Sequence, residues 1–215
     1  MRIIGDVHGK IKKYKRIIED PSYSVQLGDM GFKKEYKRLD HSEDSRNHRF
    51  IMGNHDDYDN IPEASLGDFG YSCLLGGMTF FFARGAESVD KRYRTSGVDW
   101  WDKEEMDIPT GQKALYLYEK TMPTVMLTHD CPLEILSYFV TNSAKERGSR
   151  TNQLLQRMFE IHQPMVWFFG HHHQTRSFHL KGTMFQCLDE LDYVDLSQTL
   201  NGFHYVGPNT GSIYI

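Results

Sequence analysis

Residues 168–179 read FFGHHHQTRSFH, so His171, His172 and His173 stand in a row behind a glycine and an apolar run. Four other places repeat the arrangement. Residues 3–4 run into Gly5-Asp6-Val7-His8-Gly9, residues 25–27 into Gly28-Asp29-Met30-Gly31, residues 50–52 into Gly53-Asn54-His55-Asp56, and residues 125–127 into Thr128-His129-Asp130. The clusters offer two carboxylates (Asp6, Asp29), the amide oxygen of Asn54, and the imidazoles of His8, His55, His129 and the histidine triplet. Such groups are ligands for first-row divalent metals. They include no thiolate, which excludes a Cys-rich structural zinc site, and too many imidazoles for a calcium cage of oxygens. One ion does not need so many donors. Two ions sharing a carboxylate, about 3.5–4 Å apart as in two-metal hydrolases, suit the set better.

Elements must bring these clusters together. Each apolar run has strand length, and the glycines permit a sharp turn at its carboxyl end. Ile11, Tyr14, Ile17 and Ile18 fit one helical face. Leu154, Leu155, Met158 and Phe159 fit another, with Ser149 or Thr151 as its N-cap. Strands alternating with helices predict an α/β sheet protein. Ligands in such folds gather beyond the carboxyl ends of the strands, so the five clusters converge on one edge. Residues 177–185, 203–206 and 212–215 read as short strands with no helix between them, so part of the structure is antiparallel. Residues 91–122 carry few strand signals. Within them 111–120 read as a helix with Leu115 and Leu117 as its aliphatics, and an insertion over about 85–122 is expected to shape substrate access. Trp100 and Trp101 read as packing, with pocket lining beside Asp99 and Asp102 as the alternative.

A chain of 215 residues has one domain as its default, 1–215, and buries enough core to need no disulfide staples. Its 39% hydrophobic fraction suits a globular protein rather than a disordered one. The formal net charge of -4 gives neither a basic footprint for nucleic acid nor a polybasic membrane patch. Cys73, Cys131 and Cys187 are few, odd in number and far apart, which points to a reducing compartment. No apolar run approaches the ~18 residues of a membrane span, and MRIIGDVHG shows no signal-peptide core. The expectation is a cytoplasmic protein with no membrane partner.

GDVHG, GDMG, GNHD, the His of THD, and GHHH stand in the order of the calcineurin-like metallophosphoesterase family, which the sequence resembles over residues 5–173. Each motif alone is weak; five in order, each closing an apolar run, are specific. The stretches RGAESVDKRYR and GVDWWDKEE resemble a small phage or bacterial-type branch. The resemblance implies an αββα sandwich of two mixed β-sheets flanked by helices. It implies that Asp6, His8 and His173 hold one metal, that Asn54, His129 and His171 hold a second, and that Asp29 bridges them. Mn²⁺ is the first expectation, with Fe, Zn²⁺ or Co²⁺ as alternatives. In an extended segment residues two apart share a side, so His171 and His173 reach neighbouring ions and His172 is a bystander. The implied reaction is hydrolysis of a phosphate ester by in-line attack of a metal-bridging hydroxide. His55, not a ligand, protonates the leaving group.

One motif departs from the protein phosphatases. Theirs runs on to an Asp-Arg pair, GDxxDRG, whereas here it reads GDMGFKKEY. Asp56 or another acid is then the candidate to orient His55. Arg84, Arg94 or Arg150 is the candidate to grip phosphate, because a guanidinium matches phosphate bidentately. Arg84 is the first choice, since it follows the apolar run 79–83; a solvated surface arginine is the alternative. His41, His48, His162, His179 and His204 read as surface or satisfied core residues. Asp56, Asp57 and Asp59 read as acids at a helix N-terminus. The expected function is a phosphomonoesterase acting on a phosphoprotein or small phosphate ester. The alternatives are a phosphodiesterase or nucleotide pyrophosphohydrolase, and a non-catalytic scaffold like the trafficking-coat branch of the fold. The complete ligand set and intact His55 argue against the scaffold, and the lack of a basic groove argues against nucleic acid.

Overall fold

The computed structural model describes residues 1–39, 47–73, 78–140, 148–199 and 202–214; His41 and Ile215 lie outside them. Three strands follow the first apolar runs: β1 (Arg2–Ile4), β2 (Ser24–Gln26) and β3 (His48–Phe50). They pair in parallel, with Ile3 opposite Val25 and Val25 opposite Arg49. β4 (Phe69–Cys73), β5 (Thr79–Ala83), β6 (Val125–Thr128), β7 (Val166–Phe169), β8 (Arg176–Leu180) and β9 (Thr183–Cys187) form a second sheet in the order β4-β5-β6-β7-β9-β8. Its four central strands are parallel and its two edge pairs antiparallel. The chain then returns to the first sheet through β10 (Tyr193–Thr199), β11 (Gly202–Gly207) and β12 (Gly211–Tyr214), giving the order β12-β11-β10-β1-β2-β3.

Strand residues alternate between faces, and here both faces are apolar. Ile3, Phe80, Val125, Leu127, Val166 and Phe168 meet between the two sheets. Their neighbours Phe81, Met126, Trp167 and Phe169 point the other way, onto Tyr118, Leu155, Met158 and Phe159. Those residues belong to α3 (Ile108–Thr121) and α5 (Arg150–Ile161), with the short α4 (Leu133–Leu136) beside them. Ile4 points outward from the first sheet onto Ile11 and Tyr14 of α1 (Ile11–Ile17) and Tyr36 of α2 (Lys33–Tyr36). The layers are therefore helix, sheet, sheet, helix: the expected sandwich of two mixed sheets. Cutting a fully buried Phe168 or Trp167 to Ala costs about 3–5 kcal/mol.

Local signals set the helix ends. Ser149 caps α5, accepting from Asn152 N at 3.0 Å, while the Asn152 side chain reaches back to Ser149 N at 2.9 Å. Asp107 caps α3 by accepting from Thr110 N at 2.8 Å, with Pro109 in the first turn. Four readings need correction. Residues 177–185 are not one strand but the β8–β9 hairpin, turned by Lys181 (φ 50) and Gly182 (φ 85). β4 and β10 have no counterpart in the sequence reading. No helix follows Asp56; Asp57 instead closes a turn by accepting from Asp59 N and Asn60 N. The helix expected at 111–120 starts earlier, at Ile108. Among the described residues no helix is long and apolar enough to cross a membrane.

Candidate metal centre

The ends of β1, β2, β6 and β7 lie side by side. His8 N donates to Asp29 O at 2.7 Å, and Gly170 N donates to His129 O at 3.0 Å, so backbone contacts tie the loops to each other. His8, Asp29, His171 and His173 all have left-handed backbones, with φ of 47, 60, 64 and 49. A non-glycine residue there costs about 1–3 kcal/mol, a strain that collects at functional sites. Gly53 is required by close approach: a Cβ would stand 2.3 Å from Asp29 Oδ1 and 2.6 Å from His129 Nε2.

Two donor groups result. In the first, His173 Nε2 is 3.1 Å from Asp6 Oδ2 and 2.9 Å from His8 Nε2, which is 3.6 Å from the same Asp6 oxygen. In the second, His129 Nε2 is 3.2 Å from Asp29 Oδ1 and 3.2 Å from Asn54 Oδ1, with His171 alongside. Ligands at about 2.1 Å from one ion stand about 3–3.5 Å apart, so both groups have the chemistry and the spacing of cation sites. Asp29 faces both, with Oδ1 toward His129 and Oδ2 3.7 Å from His8 Nε2. Asn54 is oriented from behind. Its Nδ2 donates to Ser88 Oγ at 3.2 Å, and Ser88 Oγ donates to Glu104 Oε2 at 2.6 Å, leaving Oδ1 for the centre.

The three consecutive histidines are not extended, as expected from sequence, but twisted by two left-handed residues. His171 and His173 go to separate groups. His172 turns away to Asp130 Oδ1 at 3.3 Å and Cys131 Sγ at 3.4 Å, stacked on Phe139 with ring centroids 4.7 Å apart. Asp130, Cys131 and His172 are metal-ligand types too, but they satisfy one another.

The buried carboxylates and imidazoles set one another's charge. Burial opposes ionisation of Asp6, yet His173 and His8 hold its carboxyl far below the usual range. Burial likewise works against Asp29, but His129 brings it down to about 2. Burial would lower His129; the carboxylates of Asp29 and Asp6 push it up to about 10. His171, buried with less compensation, falls to about 4.

Beside the centre is a cavity of about 470 Å³. Asp29, Asn54, His55, Arg94, Glu87 and Asp90 give it polar lining, and Val89, Leu136, Phe139 and Val140 apolar lining. His55 is fixed through its backbone N–H, which donates to Asp29 Oδ1 at 2.7 Å. Arg94 lies against its ring, with Nη2 2.7 Å from Nε2 and Nη1 3.2 Å from Nδ1. A neutral imidazole accepts at one nitrogen only, so one contact is a hydrogen bond and the other is packing. Asp90 grips the same guanidinium at 2.7 and 2.9 Å, and Asp99 O accepts from it at 3.1 Å. Burial, then the Arg94 charge, lower the pKa of His55, against the pull of Asp29.

Arg84 is not brought to this cavity. Its guanidinium donates to Asp68 and to Lys103 O and lies over the Tyr58 ring, so it braces the loop instead. Arg150 likewise faces Glu105 and does not line the cavity. Asp56 does not touch His55. Fully buried, it accepts from Gly53 N, Asp29 N, Gly31 N and Tyr36 Oη, pinning two loops together. Burial and the Asp29 charge push its pKa up to about 7, against four donors that favour the ionised form. Trp101 packs on Phe32 and donates to Asp59 at 2.8 Å, the packing role expected.

The sequence model described as calcineurin-like phosphoesterase matches residues 2–175. No curated protein matches by sequence. Among solved structures, a dimetal phosphatase from Danio rerio has a TM-score of 0.56 at 12% identity, covering 97% of this chain and 88% of that one. GAP50, described as the anchor in the inner membrane complex of Plasmodium, has a TM-score of 0.57 at 13% identity over 100% of this chain and 88% of its own. The phosphopantetheinyl hydrolase PptH from Mycobacterium tuberculosis has 0.51 at 15% identity over 88% and 89%. At these identities the likeness is one of fold.

Proposed function

Because the chain belongs to the calcineurin-like phosphoesterase family, metal-dependent hydrolases of phosphoric esters, we propose that it is a two-metal phosphomonoesterase. Asp6, His8 and His173 hold one ion, Asn54, His129 and His171 the other, and Asp29 serves both. The observation that carries this reading is the division of Asp29, whose two oxygens face the two donor groups separately. Manganese suits such mixed oxygen and imidazole sites. When bound, the ions supply Lewis acidity to phosphoryl oxygens and a nucleophile at neutral pH.

The side chains around the cavity do the rest. His55, held by its backbone bond to Asp29, takes up a proton when Arg94 leaves its ring for the phosphoryl group, and delivers that proton to the leaving oxygen. Arg94 contacts the phosphoryl group, exchanging its His55 contact for an anionic oxygen, while Asp90 keeps the guanidinium plane fixed. It stands in for the arginine that the GDMGFKKEY motif lacks. Glu87 and Asp90 also line the cavity, each paired with a cation, Lys91 and Arg94. Arg94 is the one lysine or arginine among the described lining residues, which suits a single phosphoryl group, and so a monoester, better than a nucleoside polyphosphate. The test is hydrolysis of p-nitrophenyl phosphate against bis-p-nitrophenyl phosphate by metal-stripped protein with Mn²⁺ restored. Faster turnover of the monoester is expected; a preference for the diester would move the assignment to a phosphodiesterase.

A further inference from the structure

The expectation from sequence that the chain lacks a basic groove for nucleic acid needs correction: the net charge of -4 conceals a separation of charge. Residues 10–38 hold nine Lys and Arg against four acids, a balance of +5, so the remaining residues together carry -9. Two of the four acids do not face outward as counter-charges. Asp29 is buried in the metal centre, and Glu35 is buried as it accepts from Phe32 N at the start of α2. Among the described residues Lys10 pairs with Glu190 and Lys34 with Glu35. Lys12, Lys13, Lys15, Arg16, Lys33, Lys37 and Arg38 are exposed and have no ion-pair partner among the described residues.

These cations are arranged around a groove. α1 turns Ile11 and Tyr14 into the core, which leaves its lysines on the outer side. A groove of about 410 Å³ is lined by Lys10, Lys12, Lys13, Lys15 and Arg38. It begins at Gly9, the residue after His8 of the metal centre. No large hydrophobic side chain of α1 or α2 is exposed, so this face has nothing to insert into a bilayer. No aromatic ring lines the groove, so it has no platform on which unpaired bases could stack. What it offers is a concentration of exposed cations, and the partner that such a surface recognises is the one with the densest row of fixed anions. Duplex nucleic acid carries one phosphate per about 1.7 Å of axis, and cations that neutralise phosphates release its condensed counterions.

We propose that the α1–α2 face is a docking surface for the phosphate backbone of a nucleic-acid duplex, bound without regard to sequence. Phosphate contacts of this kind position a duplex and carry no base readout. The surface is separate from the metal ligands, and its binding does not depend on the reaction proposed above.

The experiment is fluorescence anisotropy with a labelled 20-base-pair DNA duplex in EDTA, so that no metal-dependent hydrolysis intervenes. The wild-type chain is compared with the triple variant Lys12→Gln, Lys13→Gln, Lys15→Gln. At about 50 mM salt the wild type is expected to bind with a micromolar or lower Kd. Each phosphate contact contributes about 0.9 to the slope of log K against log salt, so the triple variant should bind at least tenfold more weakly with a slope smaller by about 2–3. Its melting temperature and its hydrolysis of p-nitrophenyl phosphate with Mn²⁺ should match the wild type. Three results would each overturn the proposal: no duplex binding at 50 mM salt, an unchanged salt slope in the variant, or binding to phosphatidylcholine vesicles with 30% phosphatidylserine without binding to DNA.

Discussion

On the proposed roles, His55 and its neighbours separate holding a metal from moving a proton. His55 donates to Asp29 through its backbone N–H; its ring lines the cavity within 4.8 Å of donor atoms of His8 and Asp29, but the two ligand groups are complete without it. His55→Ala should therefore keep both metals while turnover falls by ~10²–10⁴-fold, the range for loss of a general acid; metal content measured beside kcat decides. Within the histidine triplet the outer two face the centre and His172 faces Asp130. His172→Gln should retain full metal content, whereas His171→Gln should lose the second ion. The two arginines divide in the same way. Arg94→Ala removes a charged hydrogen-bond donor from the cavity lining, and we expect KM for a phosphate monoester to rise by about 10–100-fold with little change in melting temperature. Arg84→Ala should do the opposite. Its partner Asp68 is half exposed, so the loss is about 1–2 kcal/mol of stability, with KM of the folded protein unchanged. Equal KM effects at the two positions would contradict this division.

The loop from β5 to α3 explains both what the sequence reveals and what it hides. Metal-ligand candidates are legible in the sequence because they announce themselves twice, by residue type and by their place at the end of an apolar run. Nothing in RGAESVDKRYR sets Arg94 apart from Arg84, and strand-end reasoning prefers Arg84, which follows β5 directly. Only the folded loop shows that Arg84 turns down onto Tyr58 while Asp90 lifts Arg94 to His55. Asp56 is hidden for a related reason. An acid after a glycine turn looks like a helix N-terminal residue until four donors from three segments are seen to converge on it. β10 is missed because its inward residues, Val194 and Leu196, are separated by polar ones, so it contains no continuous apolar run like those that mark β1, β6 and β7. The same loop also carries the support of Asn54, through Ser88 and Glu104. Glu104→Gln or Ser88→Ala should weaken affinity for Mn²⁺ by about 10–100-fold without removing any ligand. A calorimetric titration with unchanged affinity would show that this support is dispensable.

At the scale of the whole molecule, charge is sorted among the described residues: Asp29, Glu87, Asp90 and Asp130 line the cavity, whereas α1 and α2 carry exposed lysines and arginines. The metal centre also ties stability to pH. In the metal-free protein the pKa of His129 is raised above its unfolded value, so its stabilising contribution is complete below about pH 6.5 and is lost as pH rises toward 10. Asp29 is lowered, and its contribution is present above about pH 4 and lost as pH falls toward 2. Asp56, pushed up to about 7, adds a loss between about pH 4 and 7 in the same direction as His129. Chemical unfolding in EDTA should thus show lower stability at pH 9 than at pH 6. Saturating Mn²⁺ should raise stability and reverse the trend, because the metal takes His129 neutral and binds more tightly as its proton leaves. A flat profile in EDTA would mean that His129 and Asp29 are not paired as described.

The central claim is that Asp29 joins two cation sites into one centre, and metal stoichiometry tests it most directly. Metal-stripped protein would be titrated with Mn²⁺ by calorimetry, with bound metal counted by elemental analysis, for the wild type and Asp29→Asn. The account predicts two ions per wild-type chain and at most one, weakly held, in the variant. One ion per wild-type chain at saturation, or two retained in Asp29→Asn, would contradict it.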